Sequence, residues 1–241
     1  MLSTLTGLPR GLPRVRGATE RLDAPDADPA TVADSLDDLA RINRLFGGTR
    51  LTLHALDGLL GRRGRGHVTL LDAGCGGGDV AVAMAAWARR RGFVPRVIGV
   101  DASPAIVALA FDRVGRDVEL RVGDMRALEL DDESVDVATC SLVLHHLEPP
   151  DALLALRELG RVARRGVVVN DLVRTRTGLL GAHLVARLLT RNPITRHDAV
   201  LSVRRAYDRG ELLDLLRQAG LRPLELRGRL GYRVAIVAEP R

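Results

Sequence analysis

The chain has 241 residues, of which 46% are hydrophobic and 27% charged, and its formal net charge is +6. This composition suits one soluble globular domain and excludes a mainly disordered chain, because the apolar fraction is high and the net charge modest. The most apolar late stretch, 178–189, is interrupted by His183 and Arg187, whereas a membrane span needs about 20 apolar residues. We expect no transmembrane segment, no signal peptide and a cytoplasmic location.

All 36 basic residues are arginines, and they are spread along the whole chain. Proteins that stack nucleic-acid bases use aromatic side chains, and aromatic residues make up only 2% of this chain. We therefore expect no nucleic-acid partner and interpret the arginines as a solvated surface.

The chain has two cysteines, Cys75 and Cys140. Two cysteines this far apart do not form a disulfide framework, so we expect reduced thiols. No cluster of cysteine and histidine has metal-ligand spacing, and the sequence therefore predicts no metal site.

The first 66 residues predict an irregular segment followed by a helical cap. Prolines punctuate residues 1–29, which we expect to be loosely wrapped or partly disordered. Asp28 and Pro29 then supply an N-cap and a first-turn proline for a helix. A second helix over about 49–60 follows, and residues 30–66 form the cap.

From residue 67 the pattern alternates between short apolar strands and helices. Runs of Val, Ile and Leu bounded by turns are typical of parallel strands buried on both faces. A short Gly-containing connection joins the last two strands, which indicates an antiparallel pair. The pattern thus predicts an α/β domain over residues 67–241. Its predicted strands are 67–72, 96–101, 118–122, 134–141, 166–172, 222–227 and 232–238, with helices over 79–91, from 103, over 151–162 and over 208–219.

An insertion at about 175–203 interrupts this alternation after the fifth strand. Residues 178–190 predict an apolar helix. Residues 191–203, which include Pro193, predict a loop. The insertion is rich in Leu, Val and Ala and poor in carboxylates.

The stretch 70–79, which reads LLDAGCGGGD, is the most informative part of the chain. A strand runs into glycines and then into a helix, whose free N–H groups attract an anionic group. The dinucleotide pattern G-x-G-x-x-G/A fails because Asp79 stands at its sixth position, and the Walker phosphate loop needs a lysine. Acidic residues on both sides of the glycines, Asp72 and Asp79, favour a ligand that carries an ammonium group beside a carboxylate.

At this turn, Asp72, Gly74, Gly76 and Gly78 resemble the D-x-G-x-G-x-G loop of class I S-adenosylmethionine-dependent methyltransferases. Three further motifs follow in the order that this family uses, so the resemblance covers roughly 70–171. It implies a Rossmann-like, seven-stranded, mostly parallel sheet with helices on both faces. It also implies an antiparallel last strand, an N-terminal helical cap and an inserted helix after strand 5.

The resemblance implies S-adenosylmethionine as the cofactor and assigns a role to each motif. Asp101, after the second strand, would accept hydrogen bonds from the ribose hydroxyls, and Asp124, after the third, from the adenine amino group. A simpler alternative is that each carboxylate only caps the following element. The backbone around Cys140 and Ser141 would line the methionine part, with the first and fourth strands side by side. The implied cofactor-binding residues are Asp72, Gly74, Cys75, Gly76, Gly78, Asp101, Ala102, Ser103, Gly123, Asp124, Met125, Cys140 and Ser141.

Two histidines end the fourth-strand motif, where the methyl acceptor should lie. A phenolic acceptor with a pKa of about 10 benefits from an aligned base near neutrality. We predict that His145 is this base or orients the substrate, and that His146 takes part directly or, more simply, packs in the core. Asp171, at the end of the fifth strand, would orient a hydroxyl or a histidine, or cap a helix.

The motif SLVLHHL, residues 141–147, resembles the small-molecule branch of the family, which includes quinone- and polyketide-modifying enzymes. The helical cap and the insertion would form an apolar lid for a small lipophilic acceptor. The leading hypothesis is O-methylation of a phenolic or polyketide-like hydroxyl. The alternatives are C-methylation of a quinone precursor and a non-catalytic cofactor-binding or RNA-associated protein. The sequence leaves open whether the protein is a monomer or a homodimer, and whether it contacts a membrane surface peripherally.

Overall fold

The computed structural model describes residues 12–24, 26–61, 64–229 and 231–240. A seven-stranded sheet lies at the centre of this part of the chain, with the strand order β3-β2-β1-β4-β5-β7-β6. The strands are β1 His67–Ala73, β2 Val94–Asp101, β3 Glu119–Val122, β4 Val135–Ser141, β5 Ala163–Leu172, β6 Leu221–Arg229 and β7 Arg233–Pro240.

Eight α-helices accompany the sheet in the described ranges, together with two short 3-10 turns at Arg21–Asp23 and Leu144–His146. None of these helices is long and apolar enough to cross a membrane. The helices are α1 Pro29–Leu45, α2 Gly48–Leu60, α3 Asp79–Arg91, α4 Pro104–Val114, α5 Pro149–Val162, α6 Arg176–Leu188, α7 Pro193–Arg205 and α8 Arg209–Gln218.

The first five strands pair in parallel, and β1 lies between β2 and β4. Strand β7 is antiparallel to both of its neighbours, β5 and β6. This arrangement confirms the predicted fold class and the adjacent first and fourth strands. The carboxyl ends of β1, β2, β4 and β5 consequently meet at one edge of the sheet, which is where open α/β sheets bind ligands.

Neighbouring residues of the central strands belong to different cores because side chains alternate between the two faces of a sheet. Leu70 packs in a cluster with residues of α2 and α3, whereas Leu71 packs with residues of α5 and α8. In β5, Val168 joins the first cluster and Val167 and Val169 join the second. Burial on both faces explains why these strands read as continuous apolar runs rather than as alternating patterns.

Among the described helices, three begin with a side chain that caps the first turn and a proline after it, and the third of them was not predicted. Asp28 and Ser103 accept hydrogen bonds from the first turns of α1 and α4, as expected. The predicted loop over 191–203 is wrong, because the side chain of Asn192 caps α7 in the same way. Proline at the first helical position removes an N–H that has no partner in any case, so Pro193 starts a helix here. The insertion therefore contains two helices.

Residues 12–24, which we call the strap, are held by specific contacts against α7 and against the chain around the 3-10 turn Leu144–His146. Nε of Arg14 donates to the carbonyl of Arg205 at 2.6 Å, and Nη1 of Arg14 contacts Glu148 at 2.8 Å. The N–H of Val15 donates to the carbonyl of Arg204 at 2.9 Å. This part of the N-terminal segment is thus fixed in place rather than loosely wrapped. Residues 1–11 of the same prediction lie outside the described residues.

Candidate functional site

A cavity of about 1520 Å³ opens at the carboxyl ends of the parallel strands. One end, which we call the glycine end, is lined by residues of the turn 72–79, by 101–103 after β2 and by 123–126 after β3. The other end, which we call the histidine end, is lined by residues of the 3-10 turn Leu144–His146, the strap, α6 and α7. The cofactor loop, His145 and His146 therefore share one cavity, whereas Asp171 contacts His145 without lining the cavity.

The glycines of the turn are required by backbone conformation and by close packing. Gly74 has φ +69°, and a Cβ atom there would lie 2.4 Å from Cγ2 of Val143. Gly78 has φ +79°, and its Cβ would lie 2.3 Å from Cγ1 of Val114. A Cβ on Gly76 would meet nothing closer than 4.0 Å, so the backbone at Gly76 stays open to a ligand. Gly78 does not line the cavity and instead begins α3 as its N-cap.

Carboxyl groups are concentrated around this turn. Asp72 is buried and accepts a hydrogen bond from Oγ1 of Thr139 at 3.1 Å. Burial raises the pKa of Asp72 to about 7, and the negative charges of Asp79 and Asp101 add to the shift. A cationic ligand group would relieve both effects, because an opposite charge favours the ionised carboxylate. The turn therefore fits a ligand with an ammonium or sulfonium group, such as S-adenosylmethionine.

Asp101 is fixed at the end of β2 by two backbone hydrogen bonds. The N–H of Gly76 donates to Oδ2 at 2.9 Å, and the N–H of Ser103 donates to Oδ1 at 3.0 Å. An ionised carboxylate offers about four lone-pair sites, so Asp101 can accept further hydrogen bonds from a ligand in the cavity. Ala102 and Ser103 lie beside it at the glycine end.

Asp124 lines the cavity but already has a strong partner. The guanidinium of Arg126 lies 2.7 Å from its Oδ2 and also 3.1 Å from Asp151. The hydrogen bond from Arg126 holds the pKa of Asp124 below its usual value. Its predicted contact with an adenine amino group would therefore have to share the carboxylate with Arg126. Gly123 and Met125 lie beside Asp124 in the cavity wall.

The two cysteines are free thiols in different surroundings. Cys75 lines the glycine end, and burial raises the pKa of its thiol well above the usual value. The side chain of Cys140 packs in the hydrophobic core and does not line the cavity. Its position in β4 turns the side chain away from the cavity, because successive side chains point to opposite faces. The next residue, Ser141, does line the cavity.

At the histidine end, His145 and Asp171 form a buried pair. Nδ1 of His145 lies 2.7 Å from Oδ1 of Asp171, and the backbone N–H of His145 donates to Oδ2 at 3.1 Å. Burial alone would raise the pKa of Asp171, but the charge and hydrogen bond of His145 outweigh it, and the pKa is lowered. In the neutral tautomer of His145 that has its proton on Nδ1, Asp171 accepts from Nδ1–H and the Nε2 lone pair stays available. The predicted orienting role of Asp171 is consistent with this geometry.

His146 is paired in the same way with a residue of the strap. Its Nδ1 lies 2.8 Å from Oδ2 of Asp23. Burial opposes the charged imidazolium, but the hydrogen bond with Asp23 and the negative charge of Glu20 outweigh it and raise the pKa of His146. Glu20 is itself buried, 3.6 Å from Nε2 of His145 and 3.7 Å from Nε2 of His146. His146 is therefore part of a polar cluster rather than an apolar packing residue.

Glu20 and Asp23 were missed by the sequence analysis. They lie in a Pro-containing segment with no hydrophobic period, and Asp23 is separated from His146 by 123 residues. No local sequence signal indicates a contact over that distance. The structure also brings Glu20, His145 and His146 close enough to act as metal ligands, although the sequence predicts no metal site.

The comparisons with known proteins agree with this geometry. Residues 71–169 match a family model described as a methyltransferase domain. The chain is 31% identical over 165 residues to a demethylmenaquinone methyltransferase of Roseiflexus castenholzii, covering 62% of this chain and 66% of the relative. It is 35% identical over 153 residues to a ubiquinone biosynthesis O-methyltransferase of Alkalilimnicola ehrlichii, covering 59% and 55%. The chain thus spans about half to two thirds of the length of these curated relatives.

A solved structure shows the same fold. The crystal structure of an S-adenosylmethionine-dependent methyltransferase from Aquifex aeolicus superposes with a TM-score of 0.61 at 20% identity, covering 88% of this chain and 97% of that one. The matched domain, the sheet order and the glycine turn together define the class. Residues 71–169 are thus a methyltransferase domain, and the fold is that of the class I S-adenosylmethionine-dependent methyltransferases. S-adenosylmethionine is the methyl donor of this class, and the acidic glycine turn fits it.

Proposed function

We propose that this protein transfers a methyl group from S-adenosylmethionine to a hydroxyl oxygen of a small lipophilic acceptor, such as a phenolic or polyketide-like compound. The observation that carries the proposal is the buried His145–Asp171 pair, in which His145 lines the same cavity as the glycine turn. When bound, S-adenosylmethionine supplies a methyl group on a cationic sulfur and leaves as a neutral thioether.

The glycine end binds and aligns the donor. The open backbone at Gly76 and the N-terminus of α3 suit a carboxylate, and the acidic groups of the turn suit a cationic one. Asp101, held by two backbone N–H groups, is positioned to accept hydrogen bonds from vicinal hydroxyls. Alignment is the main task of the protein in such a transfer, because the methyl group is already activated.

The histidine end receives the acceptor hydroxyl. Asp171 fixes the ring of His145 through Nδ1, so Nε2 can take the proton of the hydroxyl or hold its oxygen by a hydrogen bond. Both roles remain within the proposal. His146, paired with Asp23, completes this polar wall.

The remaining wall of the cavity supports a lipophilic acceptor. From α6, Gly178, Gly181, Ala182 and Val185 face the cavity. An apolar wall with a few fixed polar groups is typical of sites for small organic ligands. The relatives named above modify quinone precursors according to their names, and an acceptor of similar size and polarity fits this wall.

Mass spectrometry of a panel of phenols and quinone precursors incubated with methyl-deuterated S-adenosylmethionine tests the proposal. We expect a labelled methyl ether, identified by deuterium NMR as O–CD₃. A C–CD₃ product would replace the proposal by C-methylation, which uses the same cofactor residues. Calorimetry provides the second arm: no saturable heat with S-adenosylmethionine at tens of micromolar would contradict methyl transfer altogether.

A further inference from the structure

Three carboxylates lie together with two histidines and one arginine at the histidine end. Glu20 and Asp171 are buried, and Asp23 lies directly beside them through His146. Among the described residues, Arg205 is the one arginine that comes within 4 Å of any of these carboxylates. Its Nη1 lies 3.8 Å from Oε1 of Glu20. Uncompensated carboxylates are costly to bury, so such a cluster needs protons or a bound cation.

The two histidines point corresponding nitrogens at the same carboxylate. Nε2 of His145 lies 3.6 Å from Oε1 of Glu20, and Nε2 of His146 lies 3.7 Å from Oε2. These distances are too long for hydrogen bonds. Two ligand atoms bound to one tetrahedral zinc ion lie about 3.4 Å apart, given zinc–ligand bonds of about 2.1 Å. One ligand atom from each residue lies within 4.8 Å of the others, so the three need to close by about an ångström.

In each histidine a carboxylate holds the ring nitrogen Nδ1, as is typical of histidines that bind a metal through the other nitrogen. Asp171 binds Nδ1 of His145 at 2.7 Å, and Asp23 binds Nδ1 of His146 at 2.8 Å. A carboxylate on the second ring nitrogen fixes the tautomer and increases the basicity of the ligating nitrogen. Glu20 is oriented in turn by Oγ of Ser202, which donates to its Oε1 at 2.9 Å.

We propose that Glu20, His145 and His146 bind one divalent transition-metal ion at the histidine end of the cavity. Two imidazoles and one carboxylate favour Zn²⁺ or Fe²⁺ over Mg²⁺, which prefers oxygen ligands. Three protein ligands leave a coordination position, and all three residues line the cavity. The open position is therefore accessible to an acceptor.

For the reaction, this inference rests on the proposed O-methylation, although ion binding itself does not. An acceptor hydroxyl that coordinates the ion loses its proton near neutral pH, as zinc-bound water does. The O–H bond breaks, its electron pair stays on the oxygen, and the proton passes to water. The Nε2 lone pair of His145 then binds the ion, and the ion rather than the imidazole activates the hydroxyl.

Calorimetry with Zn²⁺ and visible spectroscopy with Co²⁺, both on the full chain after EDTA treatment, test the site. We expect one ion per chain and the absorption bands of four-coordinate Co²⁺. Glu20→Gln and His146→Ala should each weaken Zn²⁺ binding by about 10-fold or more. Glu129→Gln is the matched control, because Glu129 is exposed and does not line the cavity. It should change Zn²⁺ affinity by less than about 3-fold, provided that circular dichroism shows each variant folded.

Each result separates the ion site from the proposed activity. The metal site would be overturned if the chain bound no stoichiometric Zn²⁺, or if wild type and Glu20→Gln bound Zn²⁺ equally. The cluster would then be one of side chains that share protons. O-methylation that persists in EDTA alongside that result would leave the proposed function standing. Stoichiometric Zn²⁺ binding without a methyl ether product would keep the site and remove the proposed function.

Discussion

The glycine end and the histidine end of the cavity are assembled in different ways. At the glycine end, the turn and Asp101 lie within about one βαβ unit, and backbone N–H groups hold the carboxylate. At the histidine end, the side chains come from the strap, the 3-10 turn and the end of β5, and side chains hold one another. The first end is shaped by short-range backbone geometry and the second by long-range side-chain contacts.

Because of this difference, the two ends should tolerate different substitutions. A rigid backbone turn serves one donor and fails when its φ angles or packing change. A wall of side chains supplied by an insertion and a strap can vary without disturbing the sheet. Changes at the glycine end should therefore affect folding and donor binding, and changes at the histidine end should affect turnover.

The largest effect is expected for Gly74→Ala. A Cβ there meets Val143 at 2.4 Å in addition to a positive φ, so unfolding free energy should fall by about 3 kcal/mol or more. Gly220→Ala, with φ +81° and no atom within 4 Å of a Cβ, isolates the conformational part and should lose only about 1–2 kcal/mol. Urea denaturation measures both, and equal losses would show that the contact with Val143 is unimportant.

His145→Ala should leave the glycine end intact. Turnover at saturating donor should fall by about 100-fold or more, while the Kd for S-adenosylmethionine changes by less than about 3-fold. His183→Ala is the control, because His183 is exposed on α6 and contacts only the carbonyl of Leu179 at 2.8 Å among its described hydrogen bonds. Turnover of His145→Ala near that of wild type would remove His145 from the reaction.

Asp72 should make stability depend on pH. Its pKa is about 7 in the folded protein, raised by burial from 3.8. Between these two pKa values the folded state binds a proton that the unfolded state has lost. The contribution of Asp72 to the free energy of unfolding is therefore most favourable below about pH 4 and falls as the pH rises towards 7. Asp72→Asn should remove this component, which amounts to about 1.4 kcal/mol per unit of pKa shift as an upper scale. Denaturation of wild type and variant at pH 5 and pH 8 measures the difference, and parallel curves would refute it.

The smallest effect is expected for Arg14→Ala, which loosens the strap. Losing the contacts with Glu148 and with the carbonyls of Leu147 and Arg205 should raise the KM for the acceptor by about 3- to 10-fold, on the scale of 1 kcal/mol. The Kd for S-adenosylmethionine should stay unchanged. Arg217→Ala, which removes an exposed pair with Asp214, is the control.

The contrast between the ends also explains how far the sequence could predict the molecule. The strand pattern, the glycine turn and Asp101 depend on local geometry, and the structure has them as predicted. Asn192 and Pro193 carry the same helix-start signal as Asp28 and Pro29, but the polar, weakly periodic residues that follow read as a loop. Their helix is stabilised by packing against α6 and the strap, which no local pattern encodes.

Asp171 could be predicted as a partner of a histidine, whereas Glu20 and Asp23 were beyond prediction for a related reason. His145 and Asp171 stand at the ends of neighbouring parallel strands, so topology brings them together. Glu20 and Asp23 reach the same place only through the docked strap. Their contacts depend on tertiary closure of a long loop, and sequence periodicity carries no information about such closure.

The attachment of the strap has a consequence for motion. Its described hydrogen bonds run to α7, to residues 146–148 and to Arg174, and none of them joins a strand of the sheet. The strap can therefore detach while every strand stays paired, at a free energy well below that of global unfolding. Amide hydrogens of residues 15–22 should exchange by this local opening many times faster than those of β4 and β5. Detachment of the strap would then let small molecules reach the histidine end of the cavity without disturbing the sheet.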